Sequence, residues 1–323
     1  MVRVAIVSAL CLSGCTNEPG SDPKPDPAVP FLAVTFNTGT TEGLAHDAEP
    51  EDGYTPDHAV LSDTWYGDGL AWIPAVDATT AWFADLRPDI VVFQEIFHSE
   101  DCAIIPADAQ ADFVCERWQA GDPVVAREIL GPDYEVACHP GKDDKCLAVR
   151  SAFGSFQGEL TGSGVEGCGN GARVARGVIE RADGSTLTLV NFHGSSGLNS
   201  ADQDCRTQQV NQVFVDIGDG EPGANGALNL VMGDLNTDPG RWGDIDTSAA
   251  RWNDFVGDGL DFAFHTDVGP DAEPSYLLAN IDHVMSDGLT GDCWTPGVSE
   301  GHSDVIDAVY FDHKPAVCEL MVP

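Results

Sequence analysis

The chain has 323 residues, of which 53 are Asp or Glu and only 15 are Lys or Arg, so its formal net charge is -38. This composition does not supply the basic groove with which many proteins track nucleic acid. It argues only weakly against a phosphate substrate, because bound cations reverse the local field and salt screens charges beyond about 8–10 Å. The simpler interpretation is a solvated acidic surface.

The start of the chain has the pattern of an export signal. Arg3 precedes an apolar run at 4–12, and small residues follow it. This run of nine residues is too short to cross a bilayer core of ~30 Å. Leu12-Ser13-Gly14-Cys15 resembles a bacterial lipobox, although an ordinary secretory signal is the alternative. We therefore predict a signal peptide at 1–14 and a cell-envelope lipoprotein held to the membrane by a lipid on Cys15.

Residues 15–30 are rich in Pro, Asp, Gly and Ser and lack apolar periodicity, which predicts a solvated tether. No later apolar run reaches membrane-spanning length. Residues 31–323 contain no second linker and no internal repeat. We predict that they form one catalytic domain.

The cysteines indicate disulfides. Eight remain after the two in the first fifteen residues, and an even number in an exported chain favours disulfides. A zinc site is the alternative, but it needs short pairs such as Cys-x-x-Cys, and none occurs. Proximity in sequence favours the pairs Cys102 with Cys115 and Cys138 with Cys146.

The first part of this region predicts a strand, a helix and a second strand. Residues 31–36 are β-branched and aromatic, and they end at Asn37. Apolar residues recur at helical spacing over 71–86, before Arg87-Pro88. The continuous apolar run 90–93 predicts an interior strand that delivers Gln94-Glu95 at its end.

The second part predicts a hairpin, a helix and three more strands. Asp183-Gly184 is a strong turn signal, and Ser200 with Gln203 suggests a capping box. Mixed strand directions with interspersed helices favour an α/β or α+β sandwich. The predicted strands are 174–180, 186–192, 229–232, 280–284 and 305–311.

Six of the predicted strands end in, or are followed immediately by, an acidic, amide or imidazole side chain. Any single case is ordinary turn chemistry, because Asp and Asn are common in turns. Six cases together predict a functional site at one edge of the sheets, where rigid strands position loop residues. The residues are Asn37, Glu95, His193, Asp234 with Asn236, Asp282 with His283, and Asp312 with His313.

These segments, taken in order, resemble the motifs of the endonuclease/exonuclease/phosphatase superfamily, which includes deoxyribonucleases, abasic-site endonucleases, neutral sphingomyelinases and inositol-phosphate phosphatases. The resemblance spans residues 31–320. It implies a four-layer sandwich in which two mixed β-sheets pack face to face and are flanked by helices. The segments are Phe36-Asn37, Val92-Phe93-Gln94-Glu95, Val190-Asn191-Phe192-His193, Met232-Gly233-Asp234-Leu235-Asn236, Ile281-Asp282-His283-Val284 and Asp312-His313-Lys314-Pro315.

The resemblance also implies hydrolysis of a phosphate ester by in-line attack of water, usually with Mg²⁺, for which Mn²⁺ and Ca²⁺ are the alternatives. Glu95 would then be the principal metal ligand, with Asn37 and Asp312 nearby. Asp234 would activate or orient the attacking water, and Asn236 would hold that water and a phosphoryl oxygen. Hard oxygen ligands suit this chemistry, because phosphoryl transfer demands charge neutralisation and alignment.

The histidines complete the implied site. His313 would face the scissile phosphate and be oriented by Asp282, and His193 would offer a second imidazole contact. We expect His283 to pack or to meet solvent. A serine nucleophile at Ser195 or Ser196 is disfavoured, because no Gly-x-Ser-x-Gly elbow is present there.

Four features depart from the family pattern. Phe311 stands where a small hydroxyl residue is usual, and Gly39 stands where some members carry an additional acid or base. No acid that would orient His193 is evident. The stretch 40–69 has no recognised counterpart, and we expect an insertion at the rim of the site.

We therefore predict an exported, Mg²⁺-dependent phosphodiesterase that acts on nucleic acid or a phospholipid headgroup. The alternatives are a phosphomonoesterase or sphingomyelinase of the same superfamily, or a non-catalytic surface binding protein on that scaffold. No protein partner is predicted.

Overall fold

The computed structural model of the protein describes residues 30–40 and 53–322. The predicted signal peptide at 1–14, the lipid on Cys15 and nearly all of the 15–30 tether lie outside the described residues. Within the described ranges, every helix is too short or too polar to cross a membrane.

The described residues contain twelve strands and six α-helices, with a π-helical turn at Ser62–Tyr66 and three short 3₁₀ turns. The first half comprises β1 (Phe31–Asn37), α1 (Pro56–Leu61), α2 (Ile73–Leu86), β2 (Ile90–Gln94), α3 (Val125–Leu130), β3 (Tyr134–His139), β4 (Lys142–Arg150) and β5 (Gly154–Phe156). The second half comprises β6 (Val174–Arg181), β7 (Thr186–His193), α4 (Ser200–Phe214), β8 (Asn229–Asp234), α5 (Pro239–Trp242), α6 (Thr247–Asn253), β9 (Ala263–Phe264), β10 (Asp282–Ser286), β11 (Thr290–Trp294) and β12 (Ala316–Met321).

The predicted crossover near the start is confirmed. β1 and β2 are parallel neighbours, joined through α2. The helix ends where Arg87 adopts a left-handed conformation, with a φ of 49°. Pro88 follows and cannot continue the helical hydrogen bonding. The predicted hairpin is also confirmed as β6 and β7, and the strand at 229–232 as β8.

Two local predictions were wrong. Asn199 and Asp202, rather than Ser200 and Gln203, form the capping box of α4, because the helix begins one residue earlier than predicted. The segment 305–311 is not a strand. It forms a loop, in which the Tyr310 hydroxyl donates to the carbonyl of Gly69 at 3.1 Å. The last strand is instead β12, five residues beyond that loop.

The strands form two mixed six-stranded sheets, which confirms the predicted fold class. The first sheet has the order β11-β12-β1-β2-β4-β3, and the second has the order β5-β6-β7-β8-β10-β9. Apolar side chains of both sheets form the core between them, including Ile90, Val92 and Leu147 from the first and Leu189, Leu230 and Met232 from the second.

Helices cover the outer faces. One core cluster lies on the outer face of the first sheet and includes residues of α2 and α3. Another lies on the outer face of the second sheet and includes Val210 and Val213 of α4 and Trp252 of α6. Helix, sheet, sheet and helix therefore form four layers, each boundary of which buries apolar surface.

Four disulfides link the eight cysteines of this region. The predicted pairs Cys102–Cys115 and Cys138–Cys146 are present. The other two, Cys168–Cys205 and Cys293–Cys318, join cysteines that are 37 and 25 residues apart. Proximity in sequence could not distinguish these longer pairings from their alternatives.

Candidate active site

The strand ends meet at one edge of the sandwich, and they bring together the eight residues predicted for the site. β1 and β2 carry Asn37 and Gln94 side by side, with Glu95 next along the chain. In the second sheet, Asp234 lies opposite both His193 and Asp282 in the strand register. The loop before β12 adds Asp312 and His313.

A buried amide pair joins the two sheets directly behind the site. The Gln94 side-chain amide donates to Asn191 Oδ1 at 2.7 Å, and Asn191 Nδ2 donates to the carbonyl of Phe93 at 3.0 Å. Buried amides without partners would be costly. The pairing therefore favours one alignment of the two strand ends that carry Glu95 and His193.

Asp234 lies at the centre of the cluster. Its Oδ2 accepts hydrogen bonds from Asn37 Nδ2 at 3.0 Å and from Asn236 Nδ2 at 2.9 Å. Its Oδ1 accepts from the backbone N–H of Asn236 at 2.7 Å. Burial raises the pKa of Asp234 to about 7, with the charge of His313 opposing and that of Asp282 adding to the rise. A carboxyl group with this pKa can exchange a proton near neutral pH.

His313 forms a buried pair with Asp282. Its Nδ1 lies 2.7 Å from Asp282 Oδ2, and its Nε2 lies 3.9 Å from Asp234 Oδ2. Burial disfavours charge on this imidazole, but the carboxylates of Asp282 and Asp234 outweigh burial and hold its pKa well above the usual value. His313 is therefore a buried cation that points its Nε2 towards Asp234.

His193 is the second imidazole of the cluster. Its Nε2 lies 3.2 Å from Glu95 Oε1 and 3.6 Å from Asp234 Oδ2. Burial, together with the charges of Lys145 and Arg173, holds the pKa of His193 well below its ordinary value. Its Nδ1 has no hydrogen-bond partner among the described residues. Glu95 therefore approaches Nε2, and no acid contacts Nδ1 among the described residues.

Two side-chain oxygens, from Glu95 and Asn37, face a common space beside Gly39. The Glu95 side chain is 31% exposed, and its backbone is left-handed with a φ of 55°. The backbone N–H of Gly39 donates to Asn37 Oδ1 at 3.0 Å, and that of Asp312 donates to the carbonyl of Gly39 at 3.1 Å. A Cβ atom on Gly39 would lie 2.1 Å from Glu95 Oε2 and 3.1 Å from Asn37 Oδ1. The absence of a side chain at Gly39 thus leaves both oxygens facing one space.

These donors fit a hard divalent cation, because Mg²⁺ and Ca²⁺ prefer carboxylate and amide oxygens. A second group also has ligand-like spacing: one ligand atom from each of Asp234, Asp282 and His313 lies within 4.8 Å of the others. In that group, however, the Asp282 carboxylate already pairs with His313 Nδ1. The oxygens around Glu95 are therefore the better candidate for a metal centre.

Two residues that were not predicted to act in the site, His283 and Ser195, make buried hydrogen bonds. His283 is buried, with Nδ1 2.7 Å from Thr266 Oγ1 and Nε2 2.9 Å from the carbonyl of Asn280. The Ser195 hydroxyl is buried and accepts from Gln209 Nε2 at 2.9 Å. His283 therefore packs, as expected, and Ser195 is held by a neighbouring amide.

Two of the departures from the family pattern can be located in the structure. The Phe311 ring packs on Phe36 with ring centres 4.8 Å apart, so an aromatic contact takes the position of the usual small hydroxyl residue. Within the 40–69 stretch, residues 41–52 lie outside the described residues. Further along it, Trp65, Tyr66 and Gly67 line a cleft of about 290 Å³ that also includes Glu95. This part of the stretch lies at the rim of the site, as predicted.

Sequence reasoning missed Arg206. This fully buried guanidinium donates to the carbonyls of Ser195 and Gly197 at 2.7 Å and pairs with Asp246 at 2.8 Å. It thereby supports the loop that follows His193. The available signal was an arginine on the same face of α4 as Val210 and Val213, where an apolar residue is expected.

A larger cleft of about 560 Å³ opens beside the cluster. Its polar side includes Glu95, Asp234, Asn236 and His313. Seven other lining residues are apolar and were not predicted. The apolar residues are Leu198, Trp242, Tyr276, Leu277, Leu278, Ala279 and Ile281.

No family model matches the chain, and a search of curated proteins finds no match either. Solved structures do resemble it. The catalytic domain of human Nocturnin is 13% identical with a TM-score of 0.52, and the match covers 91% of this chain and 94% of that one. A humanized D. rerio TDP2 is 14% identical with a TM-score of 0.51, covering 90% and 98%.

An endonuclease/exonuclease/phosphatase family protein from Bacteroides thetaiotaomicron is 14% identical with a TM-score of 0.50, and the match covers 92% of this chain and 96% of that one. At such low identity, the structural similarity is evidence for the fold alone. The chain therefore has the two-sheet sandwich fold of the endonuclease/exonuclease/phosphatase superfamily.

Proposed function

We propose that this protein is a metal-dependent phosphodiester hydrolase whose active site is the cluster around Asp234. The observation that carries the proposal is the convergence of Glu95, His193 and His313 on one buried carboxylate, with His193 Nε2 and His313 Nε2 both within 3.9 Å of Asp234 Oδ2. Carboxylate, amide and imidazole groups in one cleft are suited to phosphoryl transfer, which depends on alignment and charge stabilisation.

In this proposal, Glu95 is the principal ligand of Mg²⁺, with Asn37 and Asp312 nearby, and Mn²⁺ or Ca²⁺ could take its place. The bound cation supplies neutralisation of phosphate charge. The exposed fraction of the Glu95 side chain leaves its carboxylate accessible to such an ion. The anionic surface is then compatible with a phosphate substrate.

Asp234 orients the attacking water and accepts its proton, for which a pKa of about 7 is suitable. The water oxygen bonds to phosphorus as the ester P–O bond breaks, and the leaving oxygen takes up a proton from solvent to give the free alcohol. Asn236, whose Nδ2 already lies beside Asp234 Oδ2, holds the water and a phosphoryl oxygen.

The two imidazoles act on the phosphate. His313, kept charged by Asp282, stabilises negative charge that develops on the phosphoryl oxygens. His193 remains neutral and makes a second polar contact. Two solved structures with the same fold support an anionic substrate, since the Nocturnin structure holds a sulfate anion and one D. rerio TDP2 structure holds a single-strand DNA product.

We also propose that the protein is exported and held in the cell envelope by a lipid on Cys15. The four disulfides support an extracytoplasmic location. Mass spectrometry of the mature protein purified from membranes would test the lipid. An unmodified chain that begins before residue 15 would contradict it.

The enzymatic proposal predicts hydrolysis of bis(4-nitrophenyl) phosphate that is abolished by EDTA and restored by Mg²⁺. His313→Ala should lower kcat/KM by about 10²–10³, because it removes the cation facing the phosphate. Assays of the wild type and the variant at several Mg²⁺ concentrations would measure the metal dependence and the effect of the substitution. Equal activity of the variant and the wild type would contradict the proposed mechanism.

Metal binding can be tested separately by calorimetric titration with Mg²⁺, Mn²⁺ and Ca²⁺. Glu95→Gln should weaken binding at least tenfold. The matched control is Glu100→Gln, since Glu100 is 74% exposed and lies outside the cleft. Metal binding without turnover of any phosphate ester would favour a binding protein on this scaffold.

A further inference from the structure

The apolar part of the lining of the large cleft includes three leucines that are exposed to solvent. Leu198 is 76% exposed, Leu277 61% and Leu278 87%. Single apolar residues on a surface are ordinary, but a group of them around a concave site marks a binding surface. All three line the cleft that also holds His313.

Two of these leucines occupy the tip of a tight turn. The backbone N–H of Ala279 donates to the carbonyl of Tyr276 at 2.8 Å, and that of Tyr276 donates to the carbonyl of Ala279 at 3.0 Å. Leu277 and Leu278 lie between them, and Leu277 is left-handed with a φ of 46°. Glycine, asparagine and aspartate favour such positions, whereas a leucine there is sterically unfavourable. Folding alone does not explain two leucines at this tip.

The turn is attached to the proposed catalytic groups. The backbone N–H of Lys314 donates to the carbonyl of Ser275 at 2.8 Å. The backbone N–H of Asp282 donates to Ser275 Oγ at 3.1 Å. Ser275 thus bridges the residue after His313 and the residue that pairs with His313. The leucines are consequently held at a fixed position relative to the proposed phosphate site.

The charges in this cleft disfavour a polyanion. Within the described part of the chain, its lining includes Glu95, Asp234 and Asp312 but no Lys or Arg. Two cations close in sequence to lining residues are already paired: Arg241 with Asp238 at 2.6 Å, and Lys314 with Asp304. A nucleic acid strand leaving the phosphate site on this side would meet exposed leucines and carboxylates, and no cation for its next phosphate.

We infer that this cleft receives the hydrocarbon chain of an amphiphilic phosphodiester, so that the substrate class is a phospholipid-like ester. The inference rests on the proposed function. An alkyl chain has no charge to be repelled by the acidic lining, and its transfer from water to the surface of Leu198, Leu277 and Leu278 is favourable. The phosphate of the same molecule lies at His313 and Asp234.

A set of three soluble 4-nitrophenyl phosphodiesters tests the inference. They share the same leaving group, and the second ester group is methyl, octyl or the 5′-oxygen of thymidine. In each reaction, water oxygen bonds to phosphorus and 4-nitrophenolate leaves. Below the micelle concentration of the octyl ester, we expect its kcat/KM to exceed that of the methyl ester at least tenfold.

The leucines should account for that preference. The double variant Leu277→Asn with Leu278→Ser should lower the octyl-to-methyl ratio of kcat/KM at least fivefold. It should still fold, because asparagine tolerates the left-handed position. The matched control is Ile104→Ser, since Ile104 is 77% exposed but does not line the cleft. This control should keep the wild-type ratio.

Three outcomes would count against the inference. Equal kcat/KM for the octyl and methyl esters would overturn it while leaving the proposed function in place. Preference for the thymidine ester over the octyl ester would overturn it in favour of nucleic acid. Failure to hydrolyse any of the three esters in the presence of Mg²⁺ would instead overturn the proposed function, and the inference with it.

Discussion

The end of β7 and the loop before β12 each place a buried histidine within 4 Å of Asp234 Oδ2, yet the pKa values of the two imidazoles shift in opposite directions. His313 has the buried carboxylate of Asp282 on its Nδ1. His193 has Lys145 and Arg173 among its electrostatic neighbours and no partner on Nδ1 within the described residues.

For His193, burial and the positive charges of Lys145 and Arg173 favour the neutral imidazole, whereas for His313 the carboxylates of Asp282 and Asp234 outweigh burial. Two residues of the same type can therefore differ in charge within one site. In the proposed mechanism, the charged one stabilises the phosphate and the neutral one makes a polar contact.

Among the variants that test this comparison, we expect the largest effect from removing the charge of Asp282. Asp282→Asn keeps an acceptor near His313 Nδ1 but removes the carboxylate that favours the cation, so His313 should come to resemble His193. We expect kcat/KM for bis(4-nitrophenyl) phosphate to fall about 10². Steady-state kinetics would measure the change, with circular dichroism to check folding. Wild-type activity in this variant would show that His313 does not need the charge of Asp282.

A third buried histidine extends the comparison to stability. His139 ends β3, its Nδ1 donates to the carbonyl of Ala172 at 2.9 Å, and burial lowers its pKa to about 3. The unfolded chain then binds the proton more readily than the folded chain, so the free energy of unfolding should fall as the pH drops from about 6.5 towards 3. Between pH 6.5 and 5, this residue should contribute a loss of about 2 kcal/mol.

Urea unfolding at several pH values would test this expectation. Other buried histidines also make the free energy of unfolding depend on pH. The informative quantity is therefore the difference in this pH dependence between the wild type and His139→Gln. The variant should lose less stability over this interval, because glutamine does not titrate. Parallel slopes for the two proteins would mean that His139 takes up its proton in the folded state as readily as in the unfolded one.

The smallest effect is expected at His193. Asn in place of His193 keeps a neutral donor near Glu95 and Asp234, so kcat/KM should fall only about tenfold if the imidazole acts as a neutral contact. The same assay as for Asp282→Asn would measure it. A loss as large as that of His313→Ala would indicate that His193 carries charge or transfers a proton during the reaction.

The parts of the fold that could be predicted were those with strong local patterns. The apolar run 90–93 and the turn signal at Asp183-Gly184 specified their strands, because burial on both faces and hairpin geometry restrict the residue types. The strand-end groups could be recognised for the same reason: Glu95 and Asp234 each follow a strand that needs no polar residue at its end.

The remaining parts depend on contacts between distant segments. The 305–311 segment looks like a strand by composition, but Tyr310 packs against the loop near Gly69 and not in a sheet. The position of Arg206 on the apolar face of α4 indicates that it is buried, but not that it supports the loop after His193. The Leu277-Leu278 turn is also absent from the sequence interpretation, because its residue types contradict the usual turn preferences.

Gly39 limits how this site can change. A side chain there would have to displace the Glu95 carboxylate, since its first carbon would lie 2.1 Å from Oε2. An acidic side chain at this position would therefore act on the site partly by moving the flexible end of Glu95. Directed evolution that introduces an acid at position 39 should therefore vary Glu95 at the same time.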